Sequence, residues 1–362
     1  MQARSMIAEP CVVVAMSGGV DSSLTAALLL RQGYKVIGAT MRLWEEDMPE
    51  DGSQAAIADA KRVAEHLGIV HHVFDLREEF RKWVIDYFIA EYAAGRTPNP
   101  CVACNRYIKF DRFWQLALSL GATRAATGHY ARVAFCPEQN RYSLYKAVDA
   151  RKDQSYALYY VRQSVLKNFL LPLGEYGKDE TRLMAREYSL PVADKPDSQE
   201  ICFIPDDDYK GFLNRHIPDA LRAGNIVDTS GKLLGRHGGL PFYTIGQRKG
   251  LGIAAAHPLY VVRLDTERNE VVVGGNEDVF ASALIADDMN YLAVDELTAP
   301  IRLAAKIRYN APPAPATVSP HSDGQVKVEF DTPQRAVTPG QSVVFYDGDM
   351  VFGGGVIAEK SK

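Results

Sequence analysis

The chain has 362 residues, 47% of them hydrophobic and 24% charged, with a formal net charge of −4. That length allows two or three soluble globular domains, and the charge argues against a chain coated in basic residues, though a local basic patch remains open. No apolar run reaches the roughly 18 residues of a membrane span, the stretch before Cys11 is not of signal-peptide type, and five cysteines do not make a secreted disulfide framework, so a cytoplasmic location is expected.

The first half reads as alternating strands and helices. Cys11–Met16 is a short apolar run ending in a Gly-rich turn, and Leu24–Arg31 has helical apolar spacing and stops at Gly33. Lys35–Thr40 reads as a strand, Ala55–Leu67 as an amphipathic helix closed by Gly68, and Val70–Phe74 as a third strand. A further strand runs into Ala125–Gly128. This alternation predicts a parallel sheet covered on both faces, with its ligand crevice at the carboxyl ends of the strands. The loops after Met16, Thr40 and Thr127 are where chemistry is expected.

Beyond about Pro205 the texture changes. Tyr209–Arg222 is predicted helical. Tyr260–Leu264, Val271–Val273, Arg302–Ile307, Gln325–Phe330 and Ser342–Tyr346 read as strands separated by turn pairs such as Gly274-Gly275 and Asp347-Gly348. A small middle domain followed by a β-barrel is expected, with Pro312–Pro315 in a loop between strands. The predicted division is 1–208, 209–278 and 279–362.

Ser17-Gly18-Gly19-Val20-Asp21-Ser22-Ser23 sits between a strand and a helix. Glycines without Cβ atoms let backbone N–H groups approach a phosphate, the serines add hydroxyls, and the helix dipole favours an anion. No Gly-Lys-Ser/Thr ending follows, so this is not a Walker-type loop. The string resembles the PP-loop of the ATP pyrophosphatases, which adenylate a carbonyl oxygen and release pyrophosphate. That resemblance implies that the loop binds the pyrophosphate end of ATP and that Asp21 helps hold Mg²⁺.

Cys101 and Cys104 follow two prolines that hold the chain extended. Helical spacing after them puts Cys104 near a helix start, where the dipole lowers a thiol pKa, with Arg106 and Lys109 nearby. Cys202 lies in a polar loop. Cys11, inside the first strand, reads as a small core residue, and Cys136, in the loop before Pro137, as incidental.

The segments Asn99-Pro100-x-x-x-Cys104-Asn105-x-x-Ile108-Lys109-Phe110, Ala126-Thr127-Gly128-His129-Tyr130, Lys152-Asp153-Gln154-Ser155-Tyr156 and Ser198-Gln199-Glu200-Ile201-Cys202-Phe203 occur in that order. Thr244-Ile245-Gly246-Gln247-Arg248-Lys249-Gly250 and Lys306-Ile307-Arg308-Tyr309 follow. Together, from Val12 to about Gly355, the chain resembles the tRNA-specific 2-thiouridylases of bacteria and organelles. The resemblance implies a PP-loop domain, a small central domain and a C-terminal β-barrel. It also implies replacement of the 2-oxygen of the wobble uridine of tRNA by sulfur, after adenylation by ATP.

Carried over residue by residue, Cys202 corresponds to the persulfide carrier and Cys104 to the nucleophile. Either the persulfide attacks the activated carbon or Cys104 first releases hydrosulfide from it; both routes end in a Cys104–Cys202 disulfide that must be reduced. Many members carry Asp where this chain has Cys101. Cys101 is therefore either an acid/base thiol or, with Cys104 and Cys202, a ligand of an iron–sulfur cluster.

ATP contacts are implied at Ala15, Met16, Ser17, Gly18, Gly19, Val20, Asp21, Ser22 and Ser23, with Met41 at the adenine and Gly128 beside the nucleotide. A core methionine is the plain alternative for Met41. Implied tRNA contacts are Asn99 and Pro100 near the target base, then Cys101, His129, Lys152, Asp153, Gln154, Arg308, Tyr309 and Gln341. The last three fall in the barrel, and Lys152 to Gln154 in the basic, tyrosine-bearing segment Arg141–Lys167.

His71-His72 read as strand residues, and Asp206–Asp208 as a helix N-terminus rather than a metal site. The sulfur donor implied is a cysteine desulfurase or a sulfur-relay protein, and a monomer is expected. Two other readings compete. Another PP-loop synthetase would need no cysteine pair, and a non-catalytic tRNA-binding or sulfur-carrier protein would not need Asp21.

Overall fold

The computed structural model describes residues 10–44, 51–197, 201–204 and 208–361, without the side chains of 51–53 and 361. Ser198, Gln199, Glu200, Asp206 and Asp207 lie outside the described residues. The chain forms two compact units, Met1–Trp83 with Val102–Gln199, and Val84–Cys101 with Glu200–Lys362.

In the first unit, β1 (Cys11–Ala15), β2 (Lys35–Arg42), β3 (Val70–Asp75), β4 (Arg124–Ala126) and β7 (Phe169–Leu170) form a parallel sheet in the order β3-β2-β1-β4-β7. A hairpin of β5 (Ala131–Cys136) and β6 (Arg141–Lys146) belongs to the same unit. Val12, Val14, Leu24, Leu28, Val36 and Val63 form the core between the sheet and the helices α1 (Val20–Arg31) and α2 (Asp51–Leu67). From β1 the chain turns to β2 on one side, while β4 flanks β1 on the other. The order therefore reverses beside β1, where ligands bind in open parallel sheets. The loop after β1 is the Ser17–Ser23 segment.

The elements agree with their sequence signals, and the ends differ. Helix α1 starts at Val20 rather than Leu24, because Gly19 takes the N-cap position and the polar first turn is helical too. Strand β2 runs two residues past Thr40. Cys136 ends β5 opposite Arg141 instead of standing in a loop. These polar or marginal ends are held by register with a neighbour, which apolar periodicity does not report.

In the second unit, β8 (Gly224–Asp228), β9 (Leu233–His237), β10 (Tyr260–Asp265) and β11 (Glu270–Gly274) form a mixed sheet, β10-β11-β8-β9, around Ile226, Val261, Val271 and Val273. The predicted helix over Tyr209–Arg222 ends at His216, because Pro218 cannot continue it, and a 3₁₀ turn covers Pro218–Ala220.

β12 (Phe280–Tyr291), β13 (Ile301–Lys306), β14 (Ala314–Pro320), β15 (Val326–Arg335), β16 (Ser342–Asp347) and β17 (Met350–Ser361) make an antiparallel barrel. Its order is β12-β15-β14-β13-β16-β17, and β17 pairs back to β12. Closure leaves no edge within this ring, and Leu284, Leu303, Val318, Val328, Val343 and Phe345 fill the inside. Pro315 sits near the start of β14 opposite Ala304 rather than in the preceding loop, where a missing N–H is best tolerated.

Candidate functional site

The loop after β1 is braced by its own backbone. Gly18 has φ +70°, and a Cβ there would lie 2.3 Å from the Ala56 carbonyl oxygen, so only glycine fits. The Ser22 hydroxyl accepts from the Ser17 N–H at 3.1 Å and donates to the Gly19 carbonyl at 3.2 Å; the Ser23 hydroxyl donates to the same carbonyl at 2.8 Å. Ser22 and Ser23 are buried. Their hydroxyls shape the loop. Gly19 caps α1 without a side-chain hydrogen bond, leaving first-turn N–H groups for an anion.

Gly128 follows β4 and packs onto this loop. A Cβ on it would lie 2.8 Å from Ser22 N and 2.9 Å from Asp21 C. The close approach that glycine permits here is to the chain's own loop. Gly128→Ala is expected to displace Asp21 and Ser22, an overpacking of about 1–3 kcal/mol. ATP affinity should then fall about ten- to a hundredfold with secondary structure intact. Calorimetric titration with ATP checks this, and unchanged affinity would show that the loop gives way freely.

Asp21 is the centre of an ion network that sequence reasoning did not find. Lys178 Nζ donates to both of its carboxylate oxygens, at 2.7 and 2.9 Å, and Tyr130 donates its hydroxyl to Oδ1 at 2.8 Å. Tyr130 also meets the Thr181 hydroxyl at 2.9 Å. Burial, then the Asp21 carboxylate, push the Tyr130 phenol well above its ordinary range, so it stays a donor.

Lys178 is only 8% exposed and also holds Asp197 at 2.8 Å; Lys152 and Arg182 reach Asp197 at 2.9 and 3.0 Å. Burial works to raise the Asp197 carboxyl, but the Lys178 and Lys152 hydrogen bonds outweigh it and hold it below the usual range. Three cations thus face two carboxylates beside the loop. Lys195 adds a fourth, donating to the Gly18 carbonyl at 3.1 Å and pairing with Asp59 at 2.6 Å. A loop with no Walker lysine of its own is served by lysines from far along the chain. Met41 lies in β2 opposite Phe74, half-buried at the strand's carboxyl end.

The cysteines fall in different surroundings. Cys101 is exposed and Cys104 is 4% exposed. The helix begins at Pro100 and continues from Cys104 to Arg112 as a π-helix. Cys101 therefore occupies the first turn, where the dipole is felt, and Cys104 opens the second. Asn105, next to it, donates to the Ala157 carbonyl at 2.9 Å. Cys202 is exposed, and Cys11 is half-buried in β1. Among the described residues no group of three or more His, Cys, Asp or Glu side chains could hold a metal ion.

The residues matched to tRNA contacts divide by what they already hold. The Gln341 amide donates to the Thr97 and Pro98 carbonyls at 3.0 and 3.2 Å, and Thr97 N–H donates to the Pro339 carbonyl at 2.9 Å. Gln341 thus fixes the backbone leading into Asn99 and Pro100. Arg308 donates to the Arg335 carbonyl at 2.8 Å, while Tyr309 is exposed with Lys306 over its ring at 5.6 Å.

Asp153 accepts from the Ala147 and Ser155 N–H groups, and Gln154 Oε1 accepts from the Tyr130 N–H at 2.9 Å. Both brace turns around Tyr130. His129 meets the Thr127 hydroxyl at 2.8 Å. Burial, then Lys109, push its imidazole down to about 3, so it is neutral at physiological pH. His71 is a strand residue hydrogen-bonded to Thr40 at 2.8 Å, and Asp208 caps the Tyr209–His216 helix through the Gly211 N–H. Among the described residues no helix is long and apolar enough to cross a membrane.

Three family models match successive parts of the chain. The tRNA methyl transferase HUP domain covers residues 10–206, the tRNA methyl transferase PRC-barrel domain 210–275, and the aminomethyltransferase β-barrel domain 281–357. The tRNA-specific 2-thiouridylase MnmA of Carboxydothermus hydrogenoformans is 53% identical over 356 residues, covering 96% of this chain and 98% of the relative. Its counterpart in Acetivibrio thermocellus is 52% identical over 353 residues, with 96% and 98% coverage, and that of Clostridioides difficile 50% over 355, with 97% and 98%. This chain belongs to the family of tRNA-specific 2-thiouridylases.

Proposed function

We propose that this chain replaces the 2-oxygen of the wobble uridine of tRNA by sulfur, using ATP. The observation that carries the reading is the full-length kinship at about half identity, together with a PP-loop that keeps Asp21. The α1 N-terminus and loop N–H groups receive the pyrophosphate end of ATP. The uridine oxygen attacks the α-phosphorus, pyrophosphate leaves, and AMP becomes the leaving group on C2. Asp21 is the residue that would hold Mg²⁺, which commonly takes one or two carboxylates plus phosphate oxygens. Its Oδ2 accepts only from Lys178 among the described residues, so it is the more open oxygen. Mg²⁺ would neutralise the phosphates there.

The sulfur arrives as a persulfide on Cys202 from a cysteine desulfurase or a relay protein. Its terminal sulfur bonds to C2 as the C–O bond to AMP breaks. Cys104 thiolate then attacks the Cys202 sulfur, the thiouridine sulfur leaves with the electron pair, and a Cys104–Cys202 disulfide forms. A dithiol reductant returns two electrons for the next turnover. Alternatively Cys104 releases hydrosulfide first, with the same balance. Cys101, exposed in the first helical turn, serves as an acid/base thiol near the target base.

Within this reading the monomeric, cytoplasmic chain divides into a catalytic part over 1–208, a central domain over 209–278 and a tRNA-contacting barrel over 279–362. Incubation with tRNA, ATP and a persulfide donor should give equimolar 2-thiouridine, AMP and pyrophosphate. Absence of product with a competent donor would sink the reading. Anaerobically prepared protein should be active and iron-free. Stoichiometric iron with visible absorbance would instead support a cluster on Cys101, Cys104 and Cys202.

A further inference from the structure

Two π-helical segments, Arg81–Ile85 and Cys104–Arg112, meet through a set of stacked side chains. The rings of Trp83 and Tyr107 are stacked with centroids 4.7 Å apart and planes 22° from parallel. Lys82 Nζ stands 4.8 Å over the Trp83 ring. On the other side the Arg106 guanidinium lies 4.7 Å from the Tyr107 centroid and 3.7 Å from that of Tyr160. Lysine, indole, phenol, guanidinium and phenol thus form one array. Tyr160 anchors the inner end at 6% exposed, and Trp83, beneath Lys82 at the outer end, is 40% exposed.

The indole is stacked on one ring and topped by a cation, yet two-fifths of it stays at the surface. π-Turns are uncommon and recur at functional sites, and here they carry four of the five members. The array begins two residues after Cys104 on the same helix. Alternating cations and ring faces suit single-stranded RNA, whose phosphates take the charges and whose splayed bases stack on rings. An acidic protein surface would use the charges and leave the ring faces idle.

We propose that Lys82, Trp83, Tyr107, Arg106 and Tyr160 form a stacking contact for an unpaired base of the tRNA substrate; this rests on the tRNA-thiolation reading. The base takes the outer face of Trp83 in place of the exposed Lys82 ammonium, which moves to a neighbouring phosphate.

The test measures tRNA binding by the full-length protein. Trp83→Ala is expected to raise the Kd for tRNA about tenfold while ATP binding is unchanged. Trp83→Phe, which keeps a ring, should recover most of the affinity, and Trp83→Leu should not. Intrinsic fluorescence should be quenched by tRNA in the wild type, and most of that quenching lost in Trp83→Phe. Equal tRNA affinity in Trp83→Ala, with a wild type that thiolates tRNA, overturns the proposal and leaves the reaction standing. A variant impaired only in accepting sulfur from a donor protein also overturns it, because the surface then belongs to that protein.

Discussion

Replacing Lys178 by methionine is expected to weaken ATP binding about a hundredfold and to destabilise the first unit by about 3 kcal/mol. Lys178 lies between Asp21 and Asp197 and is almost wholly buried. Removing one partner from a buried ion group leaves uncompensated charge, which typically costs about 3–5 kcal/mol. Methionine keeps the volume and the flexible stem, so the loss reports charge rather than a cavity. Among the described residues, Asp197 then keeps Lys152 and Arg182, and Asp21 keeps Tyr130.

The loop beside Asp21 carries no lysine, and Lys178 is the buried cation on its carboxylate. Lys178→Arg should recover part of the affinity, since the charge remains but the bidentate fit of the ammonium changes. Titration calorimetry with ATP and a thermal melt of each variant separate the two effects. Wild-type ATP affinity in Lys178→Met, alongside a lowered Tm, would make Lys178 a structural counter-ion and nothing more.

Cys202→Ser is expected to abolish thiolation, by at least about a thousandfold, because a hydroxyl cannot carry a sulfane sulfur. Transfer of labelled sulfur from a persulfide donor should vanish with it. Cys104→Ser should also stop turnover but leave Cys202 able to gain one sulfur atom, visible by mass spectrometry. The double variant should be no worse than either single one, as for residues that act as a unit. In both single variants tRNA-dependent consumption of ATP is expected to persist, since Asp21 and the loop are untouched. Thiolation retained by Cys202→Ser would remove it from the sulfur path.

The sequence by itself determined what local periodicity and local chemistry can specify. The strand, glycine loop and helix over Cys11–Arg31 are contiguous, and their meaning as a phosphate site follows from glycines between an apolar strand and a helix. Alternating strands and helices dictated the parallel sheet, and turn-spaced short strands dictated the barrel. The ordered motifs brought the cysteines and the tRNA-matched residues into view.

Tertiary structure decided who meets whom. Lys178 is 157 residues from Asp21 and Lys195 is 136 from Asp59, separations across which a lone lysine carries no periodic signal. Lys178 looks in sequence like the polar first residue of an amphipathic helix, and only the packing of that helix on α1 turns it into a buried cation. Gln341 is 244 residues from Thr97, so its part in holding the Asn99–Pro100 backbone was invisible in the chain. The same holds for Ser22 and Ser23. Their residue type announced hydrogen bonding, but the fold aimed both hydroxyls at the Gly19 carbonyl, because a buried polar group must find a partner where water is excluded.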